Sequence, residues 1–498
     1  MSDARTRELF VFERAERDPS MDEREYERRE LVLRTELLQQ QYELLKQRDR
    51  AVLIVVAGVD GAGKGSAINL LNEWMDPRHI RTLAFGDPSV DEAQRPAMWR
   101  YWNALPALGQ TGIVFGSWYA PLFKEAARKK PDMDRIEAMA AEILRFESML
   151  ASERVRMLKL WYHLSRDAQV ARIDAQLADP ATAWRVSEAD LKVRKKFDRL
   201  RTAGEIVLGA TDAAHTPWRV VPGADARLRA VETASAVLQA MREPLPRAPR
   251  RPPLQGVRPG GRSKAVLEPM PGAGKLDEVD YERQLAGWQA RLSEQVRAKR
   301  FRKRSLVLVF EGVDAAGKGG AIRRVSHALD VRNFDIVPIS APSDDELAHP
   351  YLWRFWRHLP LHGSVCIFDR SWYGRVLVER VESLIPPATW RRAYDEINDF
   401  EDQLRRGGAV VLKFWLSVSR EEQLRRFKER RDSPFKSFKL TPDDWRNRRK
   451  WDDYMSAARE MIARTDTAHA PWIVVADDDK RTARVKVLEH IVKAMDEA

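Results

Sequence analysis

The chain has 498 residues and a formal net charge of +12, from 86 Lys and Arg against 74 Asp and Glu. That length exceeds what one hydrophobic core usually serves, and the positive balance favours polyanionic partners without choosing among them. A lone cysteine, Cys366, rules out an internal disulfide, no apolar run approaches the ~18 residues of a membrane span, and Met1-Ser-Asp-Ala-Arg lacks the apolar segment of a signal peptide. The expectation is a soluble cytoplasmic protein with no membrane partner.

Taken in order, Tyr26 to Gln47 places apolar residues at helical spacing and predicts an opening helix. Val52 to Ala57 is an apolar run too short for a buried helix, so it reads as a central parallel strand. Gly58-Val-Asp60-Gly-Ala-Gly63-Lys64-Gly65 follows at once, and farther on come Trp99-Arg100-Tyr101-Trp102, Ser117-Trp118-Tyr119, Thr211-Asp212 and Pro217-Trp218. From 244 to 275 the chain turns to Pro, Gly and Arg with little to anchor it, a linker stiffened where prolines crowd.

The same series then returns. Tyr281 to Lys303 predicts a second opening helix, Leu306 to Phe310 a second central strand, and Gly312-Val-Asp314-Ala-Ala-Gly317-Lys318-Gly319 a second glycine loop. The separation of Gly58 and Gly312, 254 residues, also relates Ser117-Trp118-Tyr119 to Ser371-Trp372-Tyr373 and Pro217-Trp218 to Pro471-Trp472. The chain therefore reads as a duplicated domain, 1–243 and 276–498. Further strands are predicted at Asp335 to Ile339, Val365 to Phe368, Val410 to Leu416 and Trp472 to Val475, with helices at Trp390 to Arg406 and Thr482 to Met495. Short strands alternating with long helices give an α/β fold, each domain a parallel sheet covered on both faces, with active residues at the carboxyl ends of its strands.

Gly312 to Lys318, after a strand and before a helix, has the spacing in which backbone N–H groups cradle phosphate and a lysine reaches the transferred group. Gly319 stands where Ser or Thr usually supplies a hydroxyl for Mg²⁺, so Asp314 and Asp369 are the candidate metal ligands. The blander readings are a turn for Asp314 and a helix cap for Asp369. Arg370 and Arg375 bracket Ser371-Trp-Tyr-Gly374 as candidate phosphate clamps, with surface ion pairing the alternative, and Arg354 sits among aromatics that otherwise read as core. His349, His358 and His362 lack partners at metal spacing and receive no catalytic role.

A basic run, Arg425-Arg426-Phe-Lys428-Glu-Arg430-Arg431 followed by Lys436 and Lys439, would ordinarily be a solvated face. The first copy is an internal control. It has Phe115-Gly116 for Asp369-Arg370, and Asp174, Gln176, Leu177 and Thr182 for Lys428, Arg430, Arg431 and Lys436. Joint loss of acid and cations favours a basic lid that closes over a long anionic substrate in the second copy alone.

Gly-x-Asp-x-x-Gly-Lys-Gly, Asp369-Arg-Ser-Trp-Tyr-Gly-Arg375, the basic lid and Ala470-Pro-Trp472 together resemble the polyphosphate kinase 2 family over both halves. The resemblance implies a P-loop kinase fold with a helical lid and Mg²⁺-dependent phosphoryl transfer between inorganic polyphosphate and a nucleotide. It implies Asp314, Lys318, Asp369, Arg370 and the lid cations as the working site and leaves a homo-oligomer open, while Gly312, Gly317, Gly319, Arg354 and Arg375 stand as phosphate-binding candidates on their own chemistry. Fusion of two domains is similar to those members that convert AMP to ADP. The alternatives are transfer to ADP or its reversal, a P-loop kinase using a nucleoside triphosphate, and a nucleic-acid-binding protein; the last leaves the Asp314 and Asp369 pairing unexplained, so no nucleic acid is expected.

Overall fold

The computed structural model describes residues 11–186, 191, 196–246, 252, 254, 267–269, 275–434 and 437–497. Most of the expected linker lies outside them. The chain divides into two compact units, one of Met1–Asp87, Tyr101–Pro253 and Ser343–Tyr351, the other of Pro88–Arg100, Leu254–Pro342 and Leu352–Ala498.

In the first unit, strands β1 (Ala51–Gly58), β2 (Ile80–Ala84), β3 (Thr111–Phe115), β4 (Val155–His163) and β5 (Trp218–Pro222) form a parallel sheet in the order β2-β3-β1-β4-β5. In the second, β6 (Ser305–Gly312), β7 (Phe334–Pro338), β8 (Val365–Asp369), β9 (Ala409–Ser417) and β10 (Trp472–Ala476) repeat that order as β7-β8-β6-β9-β10. The register repeats too: Val52 faces Thr111 as Leu306 faces Val365.

Central β6 is buried along Leu306 to Phe310, which explains its unbroken apolar run: side chains on both faces need cover. One face packs with Leu292 of the helix Glu278–Arg297 and with Val487, Leu488 and Ile491 of the helix Lys480–Glu497. The opening helix of this unit starts earlier and stops earlier than its periodicity predicts. Asp277 caps it by accepting from Asp280 N at 2.9 Å, and Ala298, at ψ 146°, breaks it before a 3₁₀ turn over Lys299–Lys303.

An ion pair sits at the same place in both sheets. Lys413 on β9 donates to Glu401 Oε2 at 2.7 Å and Thr465 O at 2.7 Å, and Lys159 on β4 donates to Glu147 Oε2 at 2.9 Å and Thr211 O at 2.8 Å. All four charged side chains are fully buried. Since the pair persists in both copies, it belongs to the scaffold.

Candidate active site

The glycine loop follows β6. Gly312 has φ +137°, and a Cβ there would collide with Leu416 O, so only glycine can leave the strand this way; Gly317, φ +109°, makes the second left-handed step into the helix Lys318–Ser326. Nothing crowds Gly319. Lys318 Nζ folds back over the loop, donating to Gly312 O at 2.8 Å and Val313 O at 3.3 Å. Burial, with Arg370 nearby, pushes its pKa below that of an ordinary lysine.

Asp314, in the loop, has a partner on each carboxylate oxygen. Arg370 Nη2 donates to Oδ1 at 3.1 Å, and Asn447 Nδ2, from the helix Pro442–Arg449, donates to Oδ2 at 2.8 Å. Asp369 ends β8, opposite Phe310 in register, which brings it beside the loop. Arg370 then takes a left-handed backbone, φ +65°; the first copy has Gly116 there, φ +70°.

Beneath this group lies a carboxyl the sequence analysis missed. Glu311 is buried at the end of β6 and accepts from Ser371 Oγ at 2.8 Å. Burial pushes it up to about 7, against the opposing pull of that hydrogen bond and of the Lys318 and Arg370 charges. Asn447 was missed as well, with Tyr454, whose hydroxyl lies 3.2 Å from Asn447 Oδ1 and 3.4 Å from Glu382 Oε1. A signal was present: at the 254-residue offset these positions carry Ala57, Val193, Leu200 and Arg128 for Glu311, Asn447, Tyr454 and Glu382.

The remaining candidates divide. Arg375, its side chain mostly buried, pairs with Glu379 at 3.0 Å. Arg354 donates to Ser340 O at 3.2 Å and lies 5.5 Å from the Phe355 ring. Lys428 is exposed, and Arg431 pairs with Asp432 at 2.9 Å. Lys436 lies outside the described residues, as does the side chain of Lys439, whose backbone closes the 3₁₀ turn Ser437–Lys439.

Arg430 instead lines a cavity of about 260 Å³ beside the glycine loop, with Gly317, Arg323, Arg426, Lys480 and Arg484. Arg426 is committed to the scaffold, since it donates to Ala315 O at 2.9 Å and Asp478 O at 2.7 Å, and its twin Arg172 binds Gly223 O at 3.1 Å. The other cations are peculiar to the second copy, where the offset gives Asn69, Gln176, Ala226 and Ala230. In the first copy Arg229, twin of Ala483, presses its guanidinium against Gly63 and donates to Gly223 O at 2.6 Å. Burial pushes that guanidinium down to about 10. There, too, Lys64 Nζ is held by Asp60 Oδ1 at 3.0 Å.

The family model for polyphosphate kinase 2 (PPK2) matches residues 20–249 and 275–498. The chain belongs to the polyphosphate kinase 2 family. It is 46% identical to the polyphosphate:AMP phosphotransferase of Pseudomonas aeruginosa over 98% of this chain and 99% of that one, and 38% identical to the polyphosphate:AMP phosphotransferase of Acinetobacter johnsonii over 93% and 95%. A crystal structure of a polyphosphate kinase 2 from Pseudomonas aeruginosa superposes with a TM-score of 0.87 at 45% identity, covering 98% of each chain. No helix among the described residues is long and apolar enough to cross a membrane.

Among the described residues no group of three or more His, Cys, Asp or Glu is placed to hold a metal. A pair of carboxylates on a phosphate loop and the neighbouring strand end suits Mg²⁺ all the same. That ion commonly takes one or two carboxylates and fills its octahedron with water and substrate phosphates, so Asp314 and Asp369 fit the requirement of this kinase family.

Proposed function

We propose that the second copy transfers a phosphoryl group from inorganic polyphosphate to AMP, giving ADP, with the first copy as a non-catalytic partner domain and with domain limits at 1–243 and 276–498. One contrast carries the reading. Lys318 makes no ion pair with its loop aspartate and adjoins a cationic cavity, whereas Lys64 is held by Asp60 and the equivalent space receives Arg229. A polyanion needs both a lysine able to meet it and room flanked by cations. Relatives of the same two-copy length, named for polyphosphate and AMP, support the choice of substrates.

In this reading the terminal phosphoryl group rests on the Gly312 to Gly319 loop, and the polyphosphate chain extends into the cavity flanked by Arg323, Arg430, Lys480 and Arg484. Lys318 and Arg370 offset charge on the equatorial oxygens. Asp314 and Asp369 would hold Mg²⁺, which when bound would supply further neutralisation of phosphate charge. The acceptor is itself a phosphate anion, with a second pKa near 6, so no strong general base is required. A cytoplasmic location goes with this reading, the single cysteine, Cys366, being free and buried.

The test uses the full-length protein with Mg²⁺, comparing polyphosphate with ATP as donor and AMP with ADP as acceptor. Polyphosphate with AMP is the expected best pair. Asp369→Asn should lower ADP formation on the order of a hundredfold or more, while Phe115→Leu leaves it unchanged. Faster turnover with ADP would make the enzyme an ATP-forming one, faster turnover from ATP would remove polyphosphate as donor, and equal losses in the two variants would end the single-site assignment.

A further inference from the structure

Asp314 and Asp60 occupy equivalent loop positions and have opposite surroundings. Asp60 turns onto its own lysine, with Oδ1 3.0 Å from Lys64 Nζ. Asp314 is drawn the other way, Oδ1 to Arg370 at 3.1 Å and Oδ2 to Asn447 at 2.8 Å. The loop sequences differ only at Gly61 and Ala315, so the loop alone does not account for the difference. At the 254-residue offset the sequence has Gly116 for Arg370 and Val193 for Asn447, two residues without a side-chain donor.

The amide of Asn447 has two ends, and only its NH₂ end can serve an ionised carboxylate. Tyr454 fixes which end that is. Its hydroxyl lies 3.2 Å from Asn447 Oδ1 and donates there, leaving Nδ2 toward Asp314. The other acceptor within reach of that hydroxyl, Glu382 Oε1, lies farther off at 3.4 Å, while Lys450 at 2.9 Å and Arg446 at 3.4 Å hold Glu382 through its other oxygen, Oε2. Burial and Glu382 together raise the pKa of Tyr454, which keeps its donor proton in place. In the first copy Leu200 and Arg128 replace Tyr454 and Glu382, so the relay is lost as a unit.

We propose that Asn447, oriented by Tyr454, is a positioning residue that together with Arg370 holds Asp314 off Lys318 and so keeps the lysine available to phosphate. The consequence for turnover rests on the kinase reading above; the consequence for anion binding does not. Each variant is therefore measured twice in the full-length protein: by steady-state kinetics with polyphosphate, AMP and Mg²⁺, and by calorimetric titration of tripolyphosphate without metal. Asn447→Val, which installs the residue of the first copy, should weaken tripolyphosphate binding and kcat/KM for polyphosphate by about tenfold, the scale of one hydrogen bond to a charged group. Asn447→Asp should be worse than Val in both, because a second carboxylate would face Asp314. Tyr454→Phe should cost a smaller factor, and nothing more once Asn447 is Val, since it acts through that amide.

Thermal midpoints of all variants are expected to stay close to wild type, because the contacts lie at the rim of the site. The proposal is overturned if Asn447→Val binds tripolyphosphate as wild type does, if Asp at 447 outperforms Val, or if the Tyr454 and Asn447 losses multiply. Should the wild type prove inactive with polyphosphate and AMP, the substrate reading falls, and the metal-free titrations still decide the role of Asn447.

Discussion

Arg370 and Asp314 meet at 3.1 Å across the mouth of the glycine loop, and Arg370 makes that contact from a left-handed backbone, φ +65°. A side chain in this region costs about 1–2 kcal/mol, and such strain gathers at functional positions. The twin Gly116, φ +70°, adopts the same turn without a Cβ. Arg370→Gly should therefore relieve strain of about 1 kcal/mol while giving up an ion pair worth under about 1 kcal/mol, because half of the arginine side chain is exposed. The expected outcome in differential scanning fluorimetry is a thermal midpoint equal to or roughly 1–3 °C above wild type, accompanied by near-complete loss of activity. A clear fall in the midpoint would show that the arginine stabilises the turn.

Glu311 gives the second prediction. Its carboxyl rises from 4.5 to about 7 on folding, chiefly through burial. An acid with a raised folded pKa binds its proton more tightly in the native state, so its contribution is complete below 4.5 and disappears as pH rises through about 7. Glu311→Gln keeps an acceptor for Ser371 Oγ and removes the titration. Between pH 4.5 and 7 the variant should lose less stability than wild type as pH rises, by a difference on the order of 3 kcal/mol across the window. Parallel chemical-denaturation curves for the two proteins across that range would refute it.

How much of this was legible beforehand follows from what leaves a local trace. The duplication, the parallel sheet implied by alternating strands and helices, and the positions of Asp314 on the glycine loop and Asp369 at a strand end were all visible, because glycine loops, apolar runs and strand-end acids are short-range patterns. Glu311 escaped because it directly follows the apolar run Leu306 to Phe310 and precedes the glycine loop, so neither pattern claims it; its one trace in the sequence is Ala57 at the offset, and its burial on β6 gives that trace meaning. Asn447 reaches Asp314 across 133 residues, and no spacing rule spans such a gap. The described lid cations divide. Arg431 is balanced by Asp432 and Arg425 by Glu422, while Arg430 lines the cavity. Composition shows how many charges a helix carries; which side they face is decided by packing.

The buried pair Lys413 and Glu401 has its twin in Lys159 and Glu147, so it should matter to folding in both units. Removing one partner strands the other charge where water cannot reach it, at a cost of about 3–5 kcal/mol. Lys413→Met leaves Glu401 with the hydroxyl of Tyr373 at 2.7 Å and the indole N–H of Trp372 at 3.0 Å, but without its cation. Lys413→Met and Lys159→Met should each lower a thermal midpoint by several degrees, measured by calorimetry. Had the pair served catalysis, Lys413→Met would reduce turnover at low temperature with its midpoint unchanged.

Ala483 offers a direct test of the cavity beside the glycine loop. It lines that space in the second copy, while at its twin position Arg229 packs its guanidinium against Gly63 and binds Gly223 O at 2.6 Å. Ala483→Arg introduces a longer side chain at the cavity wall, and the chain already carries an arginine at the equivalent point of the same fold. If charge alone attracted the donor, the added cation would strengthen polyphosphate binding; if the donor needs the room, it would weaken it. The steric effect dominates, since overlap with a chain of phosphates outweighs one more cation beside Arg323, Arg430, Lys480 and Arg484. The expected result is a KM for polyphosphate raised by about tenfold or more, equivalent to about 1.4 kcal/mol, with the KM for AMP unchanged. Steady-state kinetics with each substrate varied in turn would check this, and a lowered KM for polyphosphate would place the chain elsewhere on the molecule.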